Sequence, residues 1–253
     1  MKSQTYQFGQ ILHKEIPFRA WEQAATRRLP GVQPLGDAPW LWRDEVFAHQ
    51  MAYRDHLIST KPDEVVVEPN AAVFEELRDR VLSELRKDEE YLFEGGVVRR
   101  PDGVNIVPGD LASLGRLIQE DMLVHEKQSD EHVLVAGVLC FPANWALRQK
   151  LGRSLTGIHD PVPDYDDRVA KGVQRMFDVM APDRPIWRSN YLAYRTADLH
   201  QPYPKEDGDD YLRVERQILT KLPKTDAVIF TIHSFVSAFT AELRHSVTSH
   251  SGD

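Results

Sequence analysis

Cysteine is almost absent from this chain: Cys140 stands alone among 253 residues. One thiol cannot close an internal disulfide, and it cannot supply the thiolate set of a structural zinc or iron–sulfur site. Any redox centre here must use other donors. Long apolar runs are also missing, since none approaches the roughly 18 to 20 residues that cross a bilayer. Residues 1–20 lack the continuous apolar core of a secretory signal. A cytoplasmic protein with no membrane contact is therefore expected. There is no basic excess either, and the net charge of −8 argues against a nucleic-acid partner, which requires a basic face. Phosphate-binding glycine loops, a nucleophile elbow and internal repeats are not found. Asp160, Asp164, Asp166 and Asp167 have the composition of a calcium loop, but the spacing and the missing glycine do not fit an EF-hand.

What the chain does contain is organised around residues 133–165. Residues 133–141 are apolar apart from one glycine and uncharged, the composition of a strand covered on both faces. Pro142 ends its ladder and suits a first helical turn, so a helix is expected over 143–150, ending at Gly152. Beyond it, Gly157-Ile158-His159-Asp160-Pro161-Val162-Pro163 carries a histidine on a connection that two prolines stiffen. From the residues alone, His159 is either an ordinary core histidine or a ligand.

Along the rest of the chain, residues 44–58 carry an apolar stripe at helical spacing, with Trp40 and Trp42 before it expected to serve packing. Asn70 is placed to cap a helix through Val73, Leu77, Val81 and Leu85. Pro101-Asp102-Gly103 predicts a hairpin turn within residues 95–109. Asp110 could cap a helix running to about Val124, which would leave Gln119-Glu120-Asp121 as an acidic cluster on its solvated end. A second long helix is expected from Tyr165 to Met180, a strand over 186–195, a loop over 199–210, and paired strands over 211–222 and 227–236. On the first of that pair, alternation puts Arg216 beside Leu212, Val214 and Ile218, and Arg213, Glu215 and Gln217 on the other side. An arginine in apolar company should meet a carboxylate, from the protein or from a ligand. Residues 245–253 are polar and expected to fray.

The order of elements, strands then a helical middle then three strands, is compatible with an α+β, PAS-like antiparallel sheet whose helical middle forms a pocket on one face. One such domain over 39–240 is expected, with an N-terminal extension at 1–38 and a disordered tail at 241–253. More specific are Leu117-Ile118-Gln119-Glu120-Asp121, Cys140-Phe141-Pro142-Ala143-Asn144-Trp145, Lys150-Leu151-Gly152, Ile158-His159-Asp160-Pro161-Val162-Pro163, Arg188-Ser189-Asn190-Tyr191, Leu212-Arg213-Val214-Glu215-Arg216-Gln217, and Leu222-Pro223 followed by Phe230-Thr231-Ile232. In this order, and over about residues 39–235, they resemble the α-subunit of haem-dependent oxidative N-demethylase and its relatives.

The resemblance implies a haem b in a PAS-type pocket, and oxidation of a small dimethylamine-like secondary amine with dioxygen. Electrons would come from a partner reductase that carries flavin and an iron–sulfur cluster, neither of which this chain holds. Carried over, the resemblance makes His159 the iron ligand and puts Pro161, Asn190, Phe141 and Arg216 at the cofactor. From charge and alternation, Arg216 or Arg213 would pair with a haem propionate or polarise oxygen, and Glu215 would hold the substrate ammonium. Two positions depart from the family pattern: His233 stands where arginine is expected and Tyr191 where tryptophan is usual. His233 is accordingly the alternative iron ligand, or a strand histidine facing solvent. A haem-based sensor or carrier without turnover, and a PAS-like interaction module with an empty pocket, are the other readings.

Overall fold

A computed structural model describes residues 8–23, 30–159, 167–204 and 208–250, with His159 and Asp167 described at the backbone alone. A 3₁₀ turn at Ala20–Glu22 precedes β1 (Gln33–Pro34), α1 (Phe47–Thr60), α2 (Pro62–Val65), β2 (Val66–Val67) and α3 (Ala71–Leu85). Three short strands follow, β3 (Leu92–Glu94), β4 (Val97–Arg99) and β5 (Asn105–Ile106), then α4 (Leu111–Gly115), β6 (Asp121–Gln128) and β7 (Glu131–Val138). The middle consists of α5 (Leu147–Lys150), α6 (Leu155–His159) and α7 (Asp167–Val179). The chain then forms β8 (Ile186–Tyr194), β9 (Tyr211–Lys221), β10 (Val228–Ala238) and α8 (Ala241–His250).

Seven strands make one antiparallel sheet in the order β1-β8-β9-β10-β6-β7-β2, while β3, β4 and β5 form a separate small sheet. The α+β class expected from the sequence is thus what the chain adopts. Directly paired residues of an antiparallel sheet share a face, so the register sorts the side chains into two sets. One face carries the rungs Arg188–Gln217–Ile232–Asp121, Asn190–Glu215–Ser234 and Ile186–Leu219–Phe230–Leu123. The opposite face carries Trp187–Ile218–Thr231–Met122, Ser189–Arg216–His233 and Tyr191–Val214–Phe235.

Different parts of the chain cover the two faces. On the first, Leu155 of α6 and Val173 and Phe177 of α7 pack with Met180 against Leu219 and Val228, while Ile158 joins Leu123 and Ile232. On the second, Trp21 packs with Leu212, Val214 and Phe235, and Trp40 lies in the main core with Phe47, Met51 and Ile218. Trp40 and Trp21 are packing residues anchored by their indole N–H groups, Trp40 to Thr231 Oγ1 at 3.2 Å and Trp21 to Ser246 Oγ at 2.9 Å.

Local signals placed several elements correctly. The Asn70 side chain caps α3 by accepting the Val73 N–H at 3.1 Å, and Val73, Leu77, Val81 and Leu85 form its buried stripe. Asp110 caps α4 in a reciprocal box with Ser113. The turn at Pro101-Asp102-Gly103 joins β4 to β5, and Gly95 and Gly96, both at positive φ, join β3 to β4.

Other expectations are corrected. The helix expected from Leu111 to about Val124 stops at Gly115, and residues 121–128 are a strand between β10 and β7. Their apolar residues suit helical spacing equally well, and only pairing on both sides decides the matter. Gly115 is where α4 meets β7: a Cβ there would lie 2.7 Å from Val138 Cγ2. The helix expected over 143–150 is reduced to α5, because Ala143 bridges Gln201 and the Asn144 N–H donates to the Gln201 carbonyl at 2.8 Å. His159, expected on the proline-stiffened loop, closes α6 instead, while Asp160, Pro161, Asp164 and Asp166 lie outside the described residues. The tail is helical as far as His250, with Leu243 and Val247 against the Trp21 cluster. Residues 251–253 lie outside the described residues.

Candidate active site

The polar residues singled out in the sequence fall on opposite faces of the sheet. Arg213 and Glu215 share the face covered by α6 and α7, whereas Arg216 and His233 share the face covered by the N-terminal segment. The sheet itself separates the two groups.

On the α6/α7 side, Arg213 is buried with every donor engaged. Its Nε donates to Glu215 Oε1 at 3.1 Å, and Nη1 donates to the carbonyls of Leu199 at 3.0 Å and Pro142 at 3.4 Å. Nη2 donates to the Phe141 carbonyl and, at 3.0 Å, to Ser234 Oγ. This guanidinium pins residues 141–142 and 199 to the sheet and fixes one oxygen of Glu215. The other oxygen, Oε2, accepts from Gln217 Nε2 at 2.9 Å. Glu215 is therefore a held carboxylate with further lone pairs available. Tyr194 is buried on the same face and its hydroxyl has no hydrogen-bond partner among the described residues; desolvation pushes this phenol up.

Asn190 pairs with Glu215 across the strands, and its Oδ1 accepts the Tyr191 N–H at 2.9 Å. Phe141 is oriented differently from a pocket wall. Its N–H donates to Asp121 Oδ2 at 2.9 Å and its ring packs on α1, 5.7 Å from the Tyr53 ring and 5.3 Å from the Arg54 guanidinium. Beside it, His200 shows its ring Nδ1 2.8 Å from the Cys140 carbonyl, with Nε2 enclosed and without a partner among the described residues. Burial pushes this imidazole down, which favours its neutral form.

On the opposite face, Arg216 does not meet a carboxylate among the described residues. Its terminal nitrogens donate to the Pro39 and Trp40 carbonyls, the latter at 3.2 Å, and it lies 5.0 Å from the centre of the Trp42 ring. Desolvation lowers its affinity for its proton, with the field of Glu120 acting in the other direction. Carbonyl dipoles and an indole face thus replace the expected ion pair.

His233 is fully buried and does not face solvent. Its Nδ1 lies 3.0 Å from Glu120 Oε1 and its Nε2 3.0 Å from Asp44 Oδ2. Desolvation alone would lower this imidazole; the two carboxylates outweigh it and raise it to about 9. Both nitrogens therefore carry protons at neutral pH and are committed to carboxylates, so in this arrangement neither offers a lone pair to a metal. Asp44 Oδ2 also takes His13 Nε2 at 2.6 Å, and His13 Nδ1 accepts the Val236 N–H at 3.1 Å. Desolvation pushes Asp44 up, but hydrogen bonds from His13 and His233 prevail and hold it well below the usual carboxylate range.

The expected solvated acidic cluster is instead buried scaffolding. Gln119 Nε2 bridges Asp44 Oδ1 at 2.8 Å and Gln50 Oε1 at 3.0 Å, and Glu120 Oε1 also takes the Trp42 N–H at 2.7 Å. Asp121 pairs with Arg54 at 2.7 Å and accepts the Cys140 and Phe141 N–H groups. The signal was available, since three polar residues opposed to a helix dipole are uncomfortable on a helix end. His13 and Asp44 carried no local signal, because their partners lie 223 and 189 residues away.

Among the described residues, no group of three or more His, Cys, Asp or Glu side chains could hold a bare metal ion, and no helix is long and apolar enough to cross a membrane. Against known families, the model described as haem-dependent oxidative N-demethylase, alpha subunit-like, matches residues 31–246.

Proposed function

The chain belongs to the haem-dependent oxidative N-demethylase, alpha subunit-like family, and from that premise we propose that it is a haem-dependent oxidoreductase that demethylates a small secondary amine. The observation that carries this reading is the held carboxylate of Glu215, set beside Arg213 and Gln217 on the sheet face that also meets α6 and α7. The element order, two long strands, a helical middle on one face and three long strands, supports a PAS-like pocket on that face.

On this reading the same face would hold a haem b. Ile158, Leu123, Ile232 and Phe230 would supply the apolar wall, and His159, the last described residue of α6, would hold the iron through its imidazole. Arg188 Nε and the Tyr194 hydroxyl are polar atoms buried here without partners among the described residues, as expected of groups that meet a polar ligand edge. When bound, the haem supplies the redox chemistry by which an amine is oxidised with dioxygen.

The chain's own task is to bind and orient. Glu215 would accept an N–H of the substrate ammonium, and Arg213 is a positioning residue, because its donors are used in holding Glu215 and the 141–142 and 199 backbone. The apolar wall excludes water from the C–N bond that is oxidised. Overall, the amine loses two electrons and two protons to become an imine, which water hydrolyses to formaldehyde and a primary amine. Dioxygen takes four electrons and four protons to give two waters; two of those electrons come from the amine and two from a separate reductase of the flavin and iron–sulfur type.

The test is to load the purified chain with haem, reduce it chemically or through a reductase, and assay formaldehyde from a panel of secondary amines. Release of formaldehyde is expected, with Glu215→Gln lowering turnover at least tenfold while leaving the Soret band unchanged. A haem-loaded chain that binds gases yet releases no formaldehyde from any amine would make it a sensor or carrier instead.

A further inference from the structure

Arg188 has no place in the network just described. It sits on β8 in the rung Arg188–Gln217–Ile232, on the same face as Glu215. Its Nε is buried without a partner, and its guanidinium makes no hydrogen bond or ion pair to any described residue. Desolvation lowers its affinity for its proton, and the field of Glu215 only partly compensates. Glu215 is held by Arg213 and Gln217 instead, and no hydrogen bond or ion pair joins it to Arg188. A half-buried guanidinium whose Nε has lost water and gained no carboxylate is costly, and an anion arriving from outside would relieve that cost.

The register sets the distance between Arg188 and α6. Ile232, in contact with Ile158 of α6, stands two strands from Arg188 on the same rung, about 10 Å away at ordinary strand spacing. A flat ligand lying along the sheet from α6 toward β8 would bring its far edge to Arg188. The two arginines considered from the sequence cannot do this: Arg213 has no free donor, and Arg216 is on the other side of the sheet.

We propose that Arg188 is the carboxylate-binding residue of the pocket and pairs with a propionate of the haem, an inference that rests on the haem reading above. The pair is a charge-assisted, two-pronged contact that completes only when the cofactor is present.

The test compares haem with haem dimethyl ester, whose propionates are uncharged, in titrations of the full chain followed at the Soret band. Wild type should bind haem about 10- to 100-fold more tightly than the diester. Arg188→Met should lose that preference by weakening haem alone, and Arg188→Lys, which keeps the charge without the fork, should retain only part of it. Cofactor-free Arg188→Met should melt at or above the wild-type temperature, since an unpaired cation has been removed from a half-buried site. Equal haem affinity of wild type and Arg188→Met would overturn the assignment while leaving the haem reading intact. A cofactor-free Arg188→Met that melts well below wild type would show a structural role and also overturn it. If wild type takes up neither porphyrin, the haem reading falls and this assignment with it.

Discussion

At the scale of single residues, the decisive feature is how completely the buried charges are paired. His233 is the clearest case, held between Asp44 and Glu120 with its proton affinity raised to about 9 against an ordinary 6.5. A folded value above the unfolded one means that its stabilisation is fully present below about pH 6.5 and is lost as pH rises through about 9. Asp44, held low by the same contacts, contributes above its ordinary 3.8, and that part is lost as pH falls; the pair is one interaction seen from two sides. Urea midpoints measured from pH 6 to 10 should therefore decline toward the alkaline end in wild type. They should stay flatter in His233→Gln, which should itself cost about 3–5 kcal/mol at pH 7 by stranding two carboxylates. Arg213→Met should cost a similar amount, about 3–5 kcal/mol, since it leaves Glu215 without its cation and frees three carbonyls. Arg216→Met should cost clearly less, because it strands two carbonyls and no carboxylate. Parallel denaturant melts rank the two arginines, and an equal cost would contradict this account.

At the scale of elements, the capped helices were legible and the strand–helix boundaries were not. Asn70 and Asp110 act on N–H groups three residues away, so the sequence contains all that determines them. Asn70→Ala should accordingly lower stability by about 1 kcal/mol, read from a denaturant melt. Residues 121–124 are different: Met122 and Val124 bury on one face and Asp121 and Leu123 on the other, a pattern that a helix prediction absorbs without conflict. Where β6 and β7 pair, Gly137 leaves no room for a side chain, since a Cβ would meet the Met122 carbonyl at 2.8 Å and Leu123 Cδ2 at 2.9 Å. Gly137→Ala should therefore force backbone to move beneath the proposed pocket, at about 1–3 kcal/mol. A variant as stable as wild type would mean that the strands can separate freely at this point.

At the scale of the whole molecule, the sheet acts as a partition. One face meets the helical middle and the other meets the N-terminal segment, which delivers His13 to Asp44 and Trp21 to Phe235. That segment lies before the family match, which begins at residue 31. Deleting residues 1–23 should uncover Leu212, Val214 and Phe235 and strip Asp44 of one histidine. The expected result is a lowered melting temperature and binding of a hydrophobic dye, while a truncated chain with wild-type stability would show the cover to be dispensable.

The sequence by itself determined the α+β class, the caps, the paired strands of residues 211–238 and the alternation that puts Arg213 and Glu215 opposite Arg216, because these depend on neighbours within a few residues. Family membership was legible for the same reason, through short segments kept in order. Only the tertiary structure decided which of those charges are spent internally. His233 has partners 113 and 189 residues away, whereas Arg188 has no described partner, and no local pattern distinguishes a paired buried charge from one that lacks a counterion. The cost of burial depends on what the fold brings within hydrogen-bonding distance, and that is set by the packing of the whole chain.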